Sequence, residues 1–241
     1  MYPIVIPQEL NITLDTMQPQ PVLENPKVLL YSNVVSSYWE QACSEATKVR
    51  NQLRLVINDG GGIIVEPHKI GFQEVIKDKP ASKVEIPDIA CKYVSLFPNL
   101  GIHRLVMNIT GHVPIGDNPT APLEYLHSHF LARGSWLNFG LAPVETAITF
   151  RYQLETSFLQ MNICHGTMRT PDEEITPIVA FLAEFNHNLV GQTPTEQMQS
   201  VTHAISNWQL NLKIYTDLIN QRFLATQPAK NKKRRFYLKA S

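Results

Sequence analysis

The chain has 241 residues, 44% of them apolar and 17% charged, which provides for a sizeable buried core and excludes a largely disordered chain. At this length one large domain, or two closely packed halves, fits better than two independent domains. The net charge of zero is made of unlike parts: residues 230–241 hold Lys230, Lys232, Lys233, Arg234, Arg235 and Lys239 and no acid, so the tail is +6 and the body, with the remaining 15 cations against 21 acids, is −6.

Residues 1–27 carry Pro3, Pro7, Pro19, Pro21 and Pro26 around two short apolar stretches, 4–6 and 10–14. Proline has no N–H to give a ladder, so these stretches read as edge strands or as an extended arm across the body. Residues 28–31 read as a short strand. Ser36 or Ser37 can cap a helix running to about Asn51, with Trp39, Ala42, Cys43, Ala46 and Val49 at helical spacing. Two β-branched runs, 54–57 and 63–65, flank Asn58-Asp59-Gly60-Gly61-Gly62, and that pattern predicts a hairpin. A third strand is expected over 70–76, followed by a polar connection.

Asp88 is expected to cap a short helix that Pro98 and Gly101 terminate. A long strand over 102–113, a turn-rich loop and a helix around Leu123, Leu126, Phe130 and Leu131 come next. Alternating apolar residues then mark three strands, 145–155, 158–168 and 178–189, joined tightly enough to form an antiparallel meander. Thr193-Pro194-Thr195-Glu196 spells a capping box with proline at the first helical position. From there Met198, Val201, Ile205, Trp208, Leu212, Tyr215 and Ile219 predict one long amphipathic helix that Pro228 ends.

The expected fold is α+β: a curved antiparallel meander sheet packed against a long C-terminal helix, with shorter helices and an additional N-terminal hairpin. Residues 1–229 read as a single α+β domain, residues 77–88 being where a seam falls if there are two halves, and 230–241 as a basic C-terminal tail. The first seven residues lack the basic and apolar regions of a secretory signal, and no apolar run approaches the ~20 residues of a membrane span. Cys43, Cys91 and Cys164 are odd in number, widely spaced and set among apolar neighbours, as reduced thiols in a cytoplasmic protein are.

Chemistry-bearing patterns are sparse. The glycine run enters a strand, whereas a phosphate loop enters a helix with a lysine and a hydroxyl, so a turn is the expected use. His127 and His129 stand two apart on an expected helix and point to different sides, where a shared metal ion needs four. Cys164 and His165 are strand neighbours and face opposite ways, leaving only His103, His112 or His187 to approach the thiol across the sheet. Asp172-Glu173-Glu174 reads as a solvated acidic turn, and Glu184 with His187 as a strand pair without an opposed partner. The sequence therefore assigns no catalytic residue, no cofactor and no metal ligand.

A non-catalytic binding or assembly protein is the leading expectation, with a protein partner or a second copy engaging the long helix. The first alternative is nucleic-acid or other anionic-partner binding through Lys230, Lys232, Lys233, Arg234, Arg235, Phe236, Tyr237 and Lys239, where cations release counterions and the rings stack on bases. The second is a small hydrophobic ligand held between sheet and helix. No membrane is expected as a partner.

Overall fold

A computed structural model describes residues 4–57, 60–169 and 174–225. Among the described residues nine strands form one antiparallel, open sheet in the order β2-β3-β4-β5-β1-β6-β9-β8-β7. The strands are β1 (Ile6–Thr16), β2 (Thr47–Val49), β3 (Gln52–Val56), β4 (Gly62–Glu66), β5 (Lys69–Val75), β6 (Ile102–Pro114), β7 (Ala147–Gln153), β8 (Ser157–Arg169) and β9 (Ile175–His187). The helices are α1 (Val28–Tyr31), α2 (Glu40–Ser44), α3 (Ile86–Leu96), α4 (Ala121–Phe130), α5 (Pro194–Ser206) and α6 (Trp208–Leu218). No described helix is long and apolar enough to cross a membrane.

The two halves of the sheet repeat one topology. β1 and β6 each open a half, a helical connection follows, and a meander returns its last strand, β5 or β9, to pair with the opener. A helix then closes each half, α3 after β5 and α5 after β9, and these two helices pack on each other. The openers β1 and β6 pair at the middle, with Leu10 opposite Ile109, Ile12 opposite Met107 and Leu14 opposite Leu105.

Cross-strand register carries one apolar row through the sheet: Leu55, Ile63, Phe72, Ile12, Met107, Phe185 and Leu159 are all buried and successively paired. Strand side chains alternate in direction, so such a row commits one face of each of the seven strands it crosses to the core. The helices cover that face. Tyr93 of α3 meets Phe72 edge-on at 5.6 Å, Phe130 at the end of α4 meets Phe150 of β7 at 6.0 Å, and the Tyr215 hydroxyl of α6 donates to the Phe181 carbonyl at 3.0 Å. The opposite face is polar: Arg104 donates to Asn186, Asp15 and Glu184, Arg151 to Gln160, and Thr149 to Asn162.

Several local expectations give way. The N-terminal stretch is neither an edge nor an arm but the central strand β1, because Pro7 falls at a register shift where no ladder N–H is required. Residues 28–31 make a single helical turn; a run of four apolar residues does not distinguish strand from buried helix. The helix expected from Ser36 or Ser37 to Asn51 stops at Ser44, after a 3-10 turn at Ser37–Trp39, and the chain then makes β2. Trp39, Ala42 and Cys43 are buried as that spacing requires, but Arg50, at φ 55°, closes a two-residue turn that sends Val49 back against Gln52. The short strands join the main sheet.

Asp88 lies inside the first turn of α3, and the cap comes from elsewhere. Buried Glu74 of β5 accepts the backbone N–H groups of Glu85 and Ile86 at 2.8 and 3.0 Å and pairs with the Lys79 ammonium at 3.0 Å. At Thr193 the capping box forms as the sequence spells it, Glu196 N–H to Thr193 Oγ1 and Thr193 N–H to Glu196 Oε2. The single helix expected from there is two: the backbone leaves helical geometry at Asn207 (φ −88°, ψ 17°), α6 restarts at Trp208, and a π-helical turn, Ile219–Phe223, follows. Pro228 lies outside the described residues.

Candidate interaction site

The two ends of the sheet are finished differently. β2 is three residues long, too short to template another chain. β7 has seven, Ala147-Ile148-Thr149-Phe150-Arg151-Tyr152-Gln153, with no proline and only one charge, and among the described residues only β8 pairs with it. Its open side presents unpaired backbone N–H and C=O groups, the feature that natural sheets otherwise blunt.

One face of this edge is apolar. Ile148, Phe150 and Tyr152 point to the helix side but remain half-buried, because the row of core residues ends there with nothing beyond it. Phe150 lies in an aromatic cluster with Phe130 (6.0 Å), Tyr152 (6.4 Å) and Phe223 (5.2 Å), and Phe223 stacks on Phe181 at 6.3 Å. Tyr125 holds the cluster's back, donating its hydroxyl to the Phe223 carbonyl at 2.8 Å.

The loop leading into β7 adds exposed apolar surface. Trp136 is 40% exposed, Phe139 85% and Leu141 fully so. Trp136 folds back over Gly134, where an added Cβ would stand 2.6 Å from the indole, and meets the His127 ring edge-on at 5.8 Å. His127 in turn shares a 2.8 Å hydrogen bond with Thr146, tying α4 to the start of the strand. An open cleft of about 590 Å³ lies alongside, bordered by Tyr125, His127, Arg133 and Leu137. Large exposed apolar groups gathered beside an open strand are what a docking surface requires.

The residues singled out from sequence are dispersed. Lys230, Lys232, Lys233, Arg234, Arg235, Phe236, Tyr237 and Lys239 lie outside the described residues, as do Asp59, Asp172 and Glu173. Cys164 and His165 face opposite sides of β8. Cys164 shares the polar face with His112, but β9 lies between their strands, two strand spacings of roughly 4.8 Å each, and burial pushes the thiol's pKa up, away from a thiolate. His165 Nδ1 is buried without a hydrogen-bond partner. His129 stacks on Tyr125 at 4.0 Å, apart from His127.

Glu184 and His187 also separate, Glu184 accepting from Arg104 on the polar face and His187 turning beneath α6. The Asn211 side-chain amide nitrogen lies 3.0 Å from His187 Nε2 and donates to Met107 Sδ at 3.2 Å. An amide NH2 only donates, so Nε2 is the acceptor and the imidazole is neutral; burial holds its pKa down to about 4. Gly60, at φ 80°, turns the β3–β4 connection, and Ile57 N–H bonds to the Gly61 carbonyl at 3.0 Å, a hairpin closure. Among the described residues no three His, Cys, Asp or Glu side chains converge.

Trp136, Phe139 and Leu141 are the residues that sequence reasoning passed over. Their signal was available: with Leu137 they make four large apolar side chains between the breakers Gly134 and Pro143, with no period that would place them in a core. The chain matches no protein-family model, and no curated protein matches it.

Proposed function

We propose that this chain is a cytoplasmic, non-catalytic binding or assembly protein that engages another polypeptide through the β7 edge and the loop before it. One observation carries this: a seven-residue strand with an open edge stands next to Trp136, Phe139 and Leu141, all exposed. Backbone pairing along an open strand supplies affinity, and flanking apolar side chains supply selectivity. The clefts between sheet and helices do not favour a hydrophobic ligand, being about 150 Å³ between α3 and α5 and about 190 Å³ beside Trp208 and Leu212, below the ~300 Å³ at which ligand pockets begin.

The test uses full-length protein as bait in extract of its native host, with and without nuclease, beside the Phe139→Ser/Leu141→Ser variant. Both side chains are exposed, so the variant should fold as well as the parent. The proposal expects a protein species retained after nuclease and lost with the variant. Retention that disappears under nuclease and ignores the variant overturns it in favour of nucleic-acid binding by the basic tail.

A further inference from the structure

We infer that the polypeptide docking on β7 is a second copy of this chain, paired antiparallel about a two-fold axis through Phe150; this rests on the edge-docking function proposed above and names its partner. β7 spans residues 147–153, so Phe150 is its midpoint. An isologous antiparallel pair centred there matches every residue of the strand: Ala147 with Gln153, Ile148 with Tyr152, Thr149 with Arg151, and Phe150 with its own copy. Moving the centre to either side leaves strand ends unpaired, and centring on Arg151 sets two guanidinium groups against each other.

The chemistry of each face suits this register. A two-fold axis perpendicular to the sheet keeps the helices of both copies on the same side, so Ile148, Phe150 and Tyr152 of one copy meet Tyr152, Phe150 and Ile148 of the other. These are the half-buried residues at which the apolar row stops. Aromatic and β-branched residues facing across strands are among the favourable cross-strand pairs. On the polar face Arg151 lies opposite a threonine and keeps its bond to Gln160 within its own copy. Antiparallel pairing also brings the loop before Ala147 beside the Gln153 end of the partner strand, where Phe139 and Leu141 gain a neighbour. The short β2 at the far end of each sheet closes the assembly at two copies.

The test is sedimentation equilibrium of the full-length chain, 27.3 kDa per copy, with three variants. The parent should reach twice that mass in a concentration-dependent manner. Thr149→Arg places like charges across both symmetry-related positions and should weaken the dimer roughly tenfold. Adding Arg151→Asp to Thr149→Arg restores opposite charges and should recover the parental constant, and Arg151→Asp alone should leave a dimer. Both positions face solvent, so the fold is not at stake. A parent that stays monomeric overturns the second-copy inference while leaving docking of a different chain on β7 in place. A dimer indifferent to Thr149→Arg overturns it as well, because the contact then lies elsewhere.

Discussion

The hydroxyl of Tyr215 closes over Gly111: it donates to the Phe181 carbonyl at 3.0 Å, and a Cβ on Gly111 would stand 2.6 Å from it and 2.7 Å from the Ile6 carbonyl. Glycine near the C-terminal end of β6 therefore sets how closely α6 approaches the sheet. Gly111→Ala should destabilise by about 1–3 kcal/mol through overpacking. Tyr215→Phe should cost about 1 kcal/mol for the lost hydrogen bond. The double variant should lose less than the sum, since removing the hydroxyl relieves part of the clash; urea unfolding of all four proteins measures this coupling.

His187 predicts an acid-sensitive core. Its pKa falls from 6.5 to about 4 on burial, so the unfolded chain takes up a proton at a pH where the folded chain resists it. Stability from this residue is fully present above pH 6.5, declines as the pH falls, and is lost by about pH 4. Allowing for partial solvent access, the loss is on the order of 1–2 kcal/mol. Protonation also sets a donor against the Asn211 amide. His187→Gln should flatten that part of the pH profile of chemical unfolding; an unchanged slope between pH 6.5 and 4 would contradict the assignment.

Glu74 caps α3 from a neighbouring strand, so its removal should act on two elements at once. Glu74→Ala leaves the N–H groups of Glu85 and Ile86 without their acceptor and should cost about 2–3 kcal/mol. Glu74→Gln keeps an acceptor and loses only the charge paired with Lys79, for a cost nearer 1 kcal/mol. Urea midpoints with unchanged slopes are the readout.

The basic tail yields a prediction independent of the edge. If it binds a polyanion, retention on immobilised nucleic acid falls steeply with salt, and deletion of residues 230–241 abolishes it. Unchanged retention after the deletion excludes that use.

Local patterns in the sequence carried much of the fold. The β3–β4 hairpin, the alternation in β7, β8 and β9, and the capping box at Thr193 were legible because each depends on residues within a few positions of one another. What was not legible depends on distant partners. Leu10, Ile12 and Leu14 mark a strand, but its central place comes from pairing with both β5 and β6, and Pro7 argued for an edge until the register shift accommodated it. Glu74 looks like any strand carboxylate until α3 presents its N-terminus. The interruption at Asn207 has no breaker residue, and the open β7 edge was hidden because Ile148, Phe150 and Tyr152 alternate as in any half-buried strand. That they stop the apolar row follows only from the strand order.

Amide hydrogen exchange of the purified full-length protein, followed across a hundredfold dilution, examines the β7 edge itself. The alternate amides of residues 148–152 that face the open edge should exchange slowly at high concentration and progressively faster on dilution, while those bonded to β8, and β4 inside the sheet, stay constant. Exchange of those outward-facing β7 amides that is rapid at every concentration, with host partner extract added or not, would show that nothing docks there.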